Sequence, residues 1–265
     1  MSLRIQSNVE AFNAHRQLVQ TSNNAAKSME RLSSGYRINR AADDAAGLAI
    51  SERMRAQING VDQANRNAQD GISMVQTAEG SLDEVHSMLQ RVRELAVQFK
   101  NGSLSDNDRN AIQTEVNQLA SEIERIGSSA KFNGISLLSG SGSVTFQVGV
   151  NDNDSITVST ISLGSTVGSF STLSGANAIS AIDAAITAVS SARATFGAVQ
   201  NRLEHSLTAN SVYRENLVSA ESRIRDVDMA AEMVEFTKNQ ILSQAGTSML
   251  AQANQAGQGV LSLIR

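Results

Sequence analysis

The sequence has no cysteine, no proline and no tryptophan among its 265 residues, and only 3% of them are aromatic. Without cysteine the chain can form no disulfide, no thiolate metal site and no thiol nucleophile. Without proline, which averages about one residue in twenty, it has no X-Pro isomerisation and no built-in helix break. Since Ala, Val, Ile and Leu must supply the buried surface, slim helix packing is favoured over a thick core.

Strong charge and long apolar runs are also missing. The net charge is -4 and no Lys/Arg cluster is present, which argues against a nucleic-acid partner because phosphate binding needs clustered cations. Residues 1–10 lack a positively charged stretch followed by an apolar run, so we expect no cleavable signal peptide. No apolar run approaches the length of a membrane span, so we expect no membrane insertion.

An apolar residue recurs every seven positions from residue 54 to residue 96, which predicts one long, coiled-coil-like helix. The series is Met54, Val61, Ala68, Val75, Leu82, Leu89 and Ala96, with a second line of Ile58, Ile72, Val85, Val92 and Phe99. Gly60, Gly71 and Gly80 each cost this helix about 1 kcal/mol relative to alanine. Packing against a close neighbouring helix must therefore stabilise it.

A second helix is predicted after residues 101–108, which are polar. Ser105 precedes Asp108 by three residues, as in a capping box that starts a helix. The apolar positions that follow, spaced by four, three, four and three, are Ile112, Val116, Leu119, Ile123 and Ile126. One stripe facing the first helix across a short connection predicts an antiparallel pair.

The apolar period changes at Asn133–Gly134 and falls to two, which predicts three short strands in a small antiparallel sheet over residues 133–160. The alternating positions are Ile135, Leu137, Val144, Phe146, Val148, Val150, Ile156 and Val158. Residues 159–175 are mostly Ser, Thr and Gly, so we expect a short, variable surface loop there.

Helical periodicity returns at Ile179 and continues past Ile224, so a third long helix closes a bundle. Both chain ends are amphipathic, and a terminal helix of roughly 40 residues would be about 60 Å long, longer than the face of a small bundle. We therefore expect the two ends to pair with each other and to leave apolar and small-residue surface for neighbouring chains, which favours polymerisation.

The predicted fold is mainly α, a long coiled-coil-like helical bundle with a small antiparallel β-hairpin region and paired terminal helices. Residues 1–42 are predicted to form an N-terminal core helix and residues 226–265 a C-terminal core helix. Residues 43–225 are predicted to form the bundle domain between them, which carries the β region and the loop.

The motifs most specific to a protein family lie in two widely separated regions, one near each end of the sequence. Residues 32–38 read LSSGYRI and residues 41–51 read AADDAAGLAIS. Residues 219–230 read SAESRIRDVDMA, and the sequence given closes with QANQ at 252–255 and VLSLIR at 260–265. Together they closely resemble the N- and C-terminal signatures of bacterial flagellins, over about the first 140 and the last 90 residues.

This resemblance implies a subunit that polymerises with copies of itself into the flagellar filament, for motility. It implies export of the unfolded chain through the flagellar type III apparatus to the outside of the cell, without a cleaved signal. The implied partners besides the chain itself are the export chaperone, the filament cap and hook–filament junction proteins. The large outer domains of longer flagellins look absent, and no cofactor is implied.

The resemblance also implies two sets of site residues. A host Toll-like receptor recognises flagellins through a helix that carries an Arg-Val-Arg-Glu-Leu run, here residues 91–95. The matching residues, which are also candidates for subunit contacts, are Arg91, Leu95 and Glu115. The leucine-rich C-terminal end of flagellins is associated with the filament core, chaperone binding and inflammasome sensing, so Leu261, Leu263 and Ile264 are candidates for these contacts.

Two other classes of protein share part of this pattern. A hook–filament junction protein has similar helical ends and would cap filaments rather than extend them. A cytosolic coiled-coil signalling adaptor would fit the heptads and would be a stable helical dimer at all times. An enzyme is the weakest interpretation, because the three histidines lie far apart and no polar residues converge on a metal or catalytic site. Asp43 and Asp44 are expected to stabilise a helix terminus or to form a salt bridge between subunits, and residues 151–154 are expected to form a turn.

Overall fold

The computed structural model describes residues 8–140, 142–163, 173 and 178–263, with side chains described as far as residue 255. Five α-helices and two two-stranded antiparallel sheets occupy these residues. They are α1 (Val9–Ser34), α2 (Ala45–Phe99), α3 (Asp106–Ser129), β1 (Lys131–Phe132), β2 (Ile135–Ser136), β3 (Ser143–Gln147), β4 (Ser155–Ser159), α4 (Ala178–Arg225) and α5 (Met229–Leu263). The predicted class, mainly α with a small antiparallel β region and paired terminal helices, is confirmed.

The chain divides into two compact units. The first combines the described parts of 1–56 and 216–265, and the second comprises those of 57–215. Helices α2 and α4 each contribute residues to both units. The domain boundaries that the sequence suggested, after residues 42 and 225, stay predictions.

The core of the second unit follows the heptads of α2. The predicted positions Val61, Ala68, Val75, Leu82, Leu89 and Ala96 are all buried. Three ion pairs between α2 and α4 show the direction of the helices, and they are Arg93–Asp183 at 2.6 Å, Asp83–Arg193 at 2.9 Å and Asp62–Arg214 at 2.6 Å. As the α2 partner moves back along the chain, the α4 partner advances by the same number of residues, so α2 and α4 are antiparallel.

Helix α3 begins at the predicted capping box. The Ser105 hydroxyl accepts the Asp108 backbone N–H at 3.3 Å, and the Asp108 carboxylate accepts the Ser105 backbone N–H at 3.1 Å. Its predicted apolar stripe faces the core, with Ile112, Val116 and Ile123 buried. Arg91 and Glu115 form an ion pair and lie about equally far from the short connection between α2 and α3, so the two helices are antiparallel as predicted.

The β region differs from the predicted three-stranded sheet. It consists of two separate hairpins, in which β1 pairs with β2 and β3 pairs with β4. Asn133 and Gly134 have φ angles of 47° and 81° and form the two-residue turn of the first hairpin. Both angles are positive, as a type I′ turn requires, so this Asn–Gly pair is a turn between strands rather than the start of a strand region.

The turn predicted at residues 151–154 is present, and the Asp154 backbone N–H donates to the Asn151 carbonyl at 3.0 Å. Most of the predicted loop at 159–175 lies outside the described residues.

In the first unit, α1 ends at Gly35, so a glycine and not a proline terminates the helix. Gly35 has a φ angle of 74° and donates its backbone N–H to the Arg31 carbonyl at 2.9 Å. A left-handed glycine is a common helix stop, because it terminates the hydrogen-bond ladder without steric cost. Helix α2 then starts after Asp44, whose carboxylate accepts the backbone N–H of Gly47 at 2.9 Å. The expected helix-start role of Asp44 is therefore confirmed.

Candidate assembly surface

Helices α1 and α5 lie side by side and run antiparallel. Three contacts fix their direction: the Asn8 side-chain amide donates to the Ala253 carbonyl at 2.8 Å, Leu18 packs on Gly246, and Arg31 lies 3.4 Å from Glu232. Residue numbers rise along α1 as they fall along α5 through these contacts. The pairing of the chain ends that the amphipathic pattern predicted is thus confirmed.

A seam of mostly small and polar residues joins the two helices. Its positions are Ala11, Ala14, Leu18, Thr21, Ala25, Ser28 and Leu32 on α1, and Glu232, Phe236, Asn239, Ser243, Gly246, Leu250 and Ala253 on α5. The spacing alternates between three and four residues on both helices, as in a coiled coil. Thr21, Ser28 and Asn239 are the buried members, and all three are polar.

Large apolar side chains lie outside this seam and are exposed. On α1 they are Val9, Phe12, Val19 and Met29, and on α5 they are Met229, Met233, Val234, Ile241, Leu242 and Met249. Phe12 is 71% exposed, Val234 70% and Ile241 62%. We call these ten side chains the terminal apolar surface. Exposed apolar surface on this scale usually marks a site of protein association.

The connection that follows α1 and the connection that precedes α5 are hydrogen-bonded to each other within the first unit. The Val227 backbone N–H donates to the Gly35 carbonyl at 3.0 Å, beside an antiparallel bridge between Tyr36 and Asp226. The Arg225 guanidinium lies 4.8 Å from the Tyr36 ring centroid and pairs with a carboxylate oxygen of Glu52 at 2.7 Å. These contacts hold the C-terminal end of α1 next to the N-terminal end of α5.

Asp43 ties α1 to the start of α2. Its carboxylate pairs with the Lys27 ammonium at 2.7 Å and accepts the backbone N–H groups of Arg40 and Asn39 at 3.1 and 3.2 Å. The hydrogen bond from Lys27, followed by that from Arg40, lowers the pKa of Asp43 from 3.8 to about 2. The Asp43 salt bridge is intramolecular, and a salt bridge from this acidic pair to a neighbouring subunit stays a prediction.

The three residues of the predicted receptor epitope occupy two different environments. Arg91 and Glu115 are exposed, and the Arg91 guanidinium donates to one Glu115 oxygen from two nitrogens, at 2.9 and 3.0 Å. These hydrogen bonds, with a third to Glu94, raise the pKa of Arg91. Leu95 is only 2% exposed and belongs to the core of the second unit. The structure therefore brings Arg91 and Glu115 together at the surface and places Leu95 in the interior.

Leu261, Leu263 and Ile264 lie outside the residues whose side chains are described. Within the described residues, His, Asp and Glu side chains form no group of three that could hold a metal ion. In the same part of the chain, no helix combines the length and apolar character needed to cross a membrane.

Apolar periodicity in the sequence did not identify the residues of the seam between α1 and α5. Thr21, Asn239 and Gly246 are not apolar enough to mark a core position, and a search for apolar stripes passes over them. The available signal is the three-and-four spacing of small residues on both terminal segments, which is visible only once the two segments are aligned against each other.

Family comparisons cover most of the chain. The family model described as bacterial flagellin N-terminal helical region matches residues 5–143, and the one described as bacterial flagellin C-terminal helical region matches residues 179–264. Both paired terminal helices and the capping box of α3 fall inside the matched ranges.

Full-length relatives show the same similarity. The chain is 52% identical to a flagellin of Halalkalibacterium halodurans over 270 residues, which cover 98% of this chain and 99% of the relative. It is 49% identical over 284 residues to the flagellar filament 33 kDa core protein of Treponema phagedenis, with coverages of 98% and 99%. The crystal structure of Bacillus cereus flagellin aligns with a TM-score of 0.51 at 31% identity, covering 55% of this chain and 88% of that one.

Proposed function

Because this chain belongs to the bacterial flagellin family, we propose that it is the structural subunit of a flagellar filament and polymerises through its terminal apolar surface. The observation that carries the proposal is the exposure of ten large apolar side chains on α1 and α5. The name of the Treponema phagedenis relative, a flagellar filament core protein, supports the same function.

The energetics of the terminal helices favour assembly over an isolated pair. Full burial of a Val, Leu, Ile, Phe or Met side chain contributes about 1.5–3 kcal/mol. The α1–α5 seam buries Thr21, Ser28 and Asn239 instead, so the pair itself gains little from the apolar residues outside it. A neighbouring subunit that covers the terminal apolar surface would supply the missing stabilisation.

The test is seeded growth. Purified chain is added to short flagellar fragments and imaged by electron microscopy, beside a variant that lacks residues 226–265 and therefore α5. We expect long filaments from the intact chain and none from the truncated one. Failure of the intact chain to extend any seed would instead favour a hook–filament junction protein or a coiled-coil adaptor.

We further propose that the chain leaves the cell unfolded through the flagellar export apparatus and that a chaperone holds its C-terminal end. The absence of cysteine and proline supports this route, since no disulfide or prolyl isomer slows refolding outside the cell. Replacement of Leu261, Leu263 and Ile264 by alanine is expected to abolish chaperone co-purification. Retention of chaperone by this variant would contradict the proposed binding site.

We also propose that the host Toll-like receptor for flagellin recognises the surface around Arg91 and Glu115. Two exposed, oppositely charged side chains on adjacent helices support this proposal, since they offer a partner both a donor and an acceptor. Leu95 matches the family epitope in sequence, but it is buried here, and Leu95→Ala would cost about 2–5 kcal/mol of stability. Leu95 is therefore left unchanged in the test.

The receptor test compares two pairs of exposed charges. Arg91→Ala with Glu115→Ala is expected to reduce reporter-cell activation at least about tenfold, as loss of a few charged contacts does. Arg125→Ala with Glu122→Ala removes another exposed ion pair, on α3, and is expected to leave activation unchanged. Equal activation by both variants would remove the proposed role of Arg91 and Glu115.

A further inference from the structure

The α1–α5 seam matches side chains by size. A Cβ atom on Gly246 would lie 3.2 Å from Leu18 Cδ1, so a side chain at 246 would force Leu18 to shift, and a large one would compete with it for the same space. With Leu18 opposite Gly246, the heptads of the antiparallel helices fix the other pairs. They are Ala14 with Leu250, Thr21 with Ser243, Ala25 with Asn239, and Ser28 with Phe236. Leu18, Leu250 and Phe236 thus each face a small residue on the other helix.

A heptad seam by itself permits slippage, because a shift of seven residues keeps the same positions in contact. Either shift would disturb this seam. Gly246 would face Ala11 or Ala25, neither of which can fill the space that Leu18 now occupies beside the glycine. Leu18 would face Ala253 or Asn239 and would lose its present contact with Gly246.

Asn239 would meet a larger neighbour after either shift. It is 4% exposed, and its amide nitrogen has no hydrogen-bond partner among the described residues. It now lies opposite Ala25, the small residue that leaves room for the amide, and either shift would place it against Leu18 or Leu32. Because its amide nitrogen is already unpaired within the described part of the chain, Asn239 opposes a shift from the native register through its size and not through a lost hydrogen bond.

We infer that Leu18, Gly246 and Asn239 set the pairing register of the two terminal helices. The consequence for assembly, which rests on the proposed function, is geometric. A slip of seven residues would displace the α1 and α5 parts of the terminal apolar surface by about 10 Å relative to each other. Neighbouring subunits that fit the native surface would not fit the slipped one.

The absence of cysteine makes the register measurable by disulfide formation. Ser243→Cys is combined with Thr21→Cys, its partner in the native register, or with Ser28→Cys or Ala14→Cys, its partners after a slip in either direction. Under mild oxidation we expect the native pair to form the intramolecular disulfide about tenfold faster or more, since disulfides need Cα atoms within about 7 Å. Equal rates for all three pairs would overturn the inference.

Each reporter pair is then placed in variants of the seam. Gly246→Leu is expected to slow the native disulfide about tenfold, because two leucines cannot share the space that Leu18 now fills. Ala245→Leu, one residue away and exposed, is the matched control and should leave the rates unchanged. Leu18→Ala with Gly246→Leu exchanges the large and small partners and should restore the native disulfide.

The exchanged variant, Leu18→Ala with Gly246→Leu, distinguishes a change of register from a failure to fold. If Gly246→Leu leaves the native disulfide unchanged, or if the exchanged variant fails to restore it, size matching does not set the register. The same reporters are measured in the dissolved chain and in seeded filaments, with intramolecular and intermolecular products separated on non-reducing gels. Failure of filament growth with a native disulfide pattern would count against the proposed function alone.

Discussion

At the scale of single residues, Gly47 shows how tightly the start of α2 packs against the connection before it. A Cβ atom at this position would lie 2.5 Å from an Asp44 carboxylate oxygen and 2.7 Å from the Cδ1 atom of Ile38. Ile38 is buried, and Asp44 is fixed by the hydrogen bond that it accepts from Gly47 itself. The absence of a side chain at residue 47 is therefore a packing requirement.

We predict that Gly47→Ala lowers the free energy of unfolding by about 1–3 kcal/mol, as overpacked substitutions do, although alanine is the better helix former. Gly80→Ala is the control, because residue 80 is also helical and has open space around its Cβ position. That substitution should raise stability by about 0.5–1 kcal/mol. Urea denaturation followed by circular dichroism measures both, and a shift in the same direction for the two variants would refute the packing argument.

Asp43 makes stability depend on pH. Its pKa is lowered in the folded chain to about 2, chiefly by the hydrogen bond from Lys27. A lowered folded pKa means that the ionised group stabilises the fold above its unfolded pKa near 3.8, and that this stabilisation is lost as the pH falls towards 2.

We predict that Asp43→Asn makes stability less steeply dependent on pH between 4 and 2 than it is in the parent chain. Asp152→Asn, in an exposed turn, removes one carboxylate as well and controls for the change in net charge. Thermal unfolding at several pH values in this window provides the comparison. An unaltered pH slope in Asp43→Asn would show that the Lys27 contact contributes little.

At the scale of elements, the helix ends are set by local chemistry, and the start of α3 is the simplest to test. We predict that Ser105→Ala costs about 1 kcal/mol of unfolding free energy, because the hydroxyl that accepts the Asp108 N–H is lost. Ser103→Ala, in the same exposed connection, should change stability much less. Chemical denaturation measures both, and similar losses in the two variants would argue against the capping box.

The exposed ion pairs between α2 and α4 mark alignment more than stability. Arg93–Asp183 and Asp62–Arg214 are about half-exposed, and pairs of this kind contribute at most about 1 kcal/mol each. The buried apolar heptads between these helices supply the larger share of the stabilisation. Because the ion pairs are equally spaced along both helices, they show that α2 and α4 are antiparallel and aligned over this length.

At the scale of the whole molecule, the proposed role of the terminal apolar surface in assembly makes a direct prediction. We predict that Val234→Ser with Ile241→Ser raises the concentration needed for seeded growth by about two orders of magnitude or more, since each side chain is worth about 1.5–3 kcal/mol when buried. Gln240→Ser with Gln244→Ser is the control, because it changes two exposed polar residues on the same helix. Growth curves by light scattering compare the variants, and equal critical concentrations would contradict the assignment.

The sequence by itself determined most of the elements of this protein. The heptads from Val61 to Ala96, the stripe of α3 and its capping box follow from spacing alone, because a helix buries one face whatever its partner is. The pairing of the chain ends also follows from the amphipathic pattern. The flagellin signatures identified the family before any contact was known.

Only the tertiary structure decided the detailed contacts between those elements. The stop at Gly35, the salt bridge from Asp43 to Lys27 and the burial of Leu95 depend on residues distant in sequence, or on a backbone angle, that no apolar period records. The β region forms two hairpins and not the predicted three-stranded sheet, because the turn at Asn133 and Gly134 pairs β1 with β2 while β3 pairs with β4. The small-residue seam of α1 and α5 emerged only in the folded chain, since the fit of Leu18 on Gly246 is a property of two helices brought together.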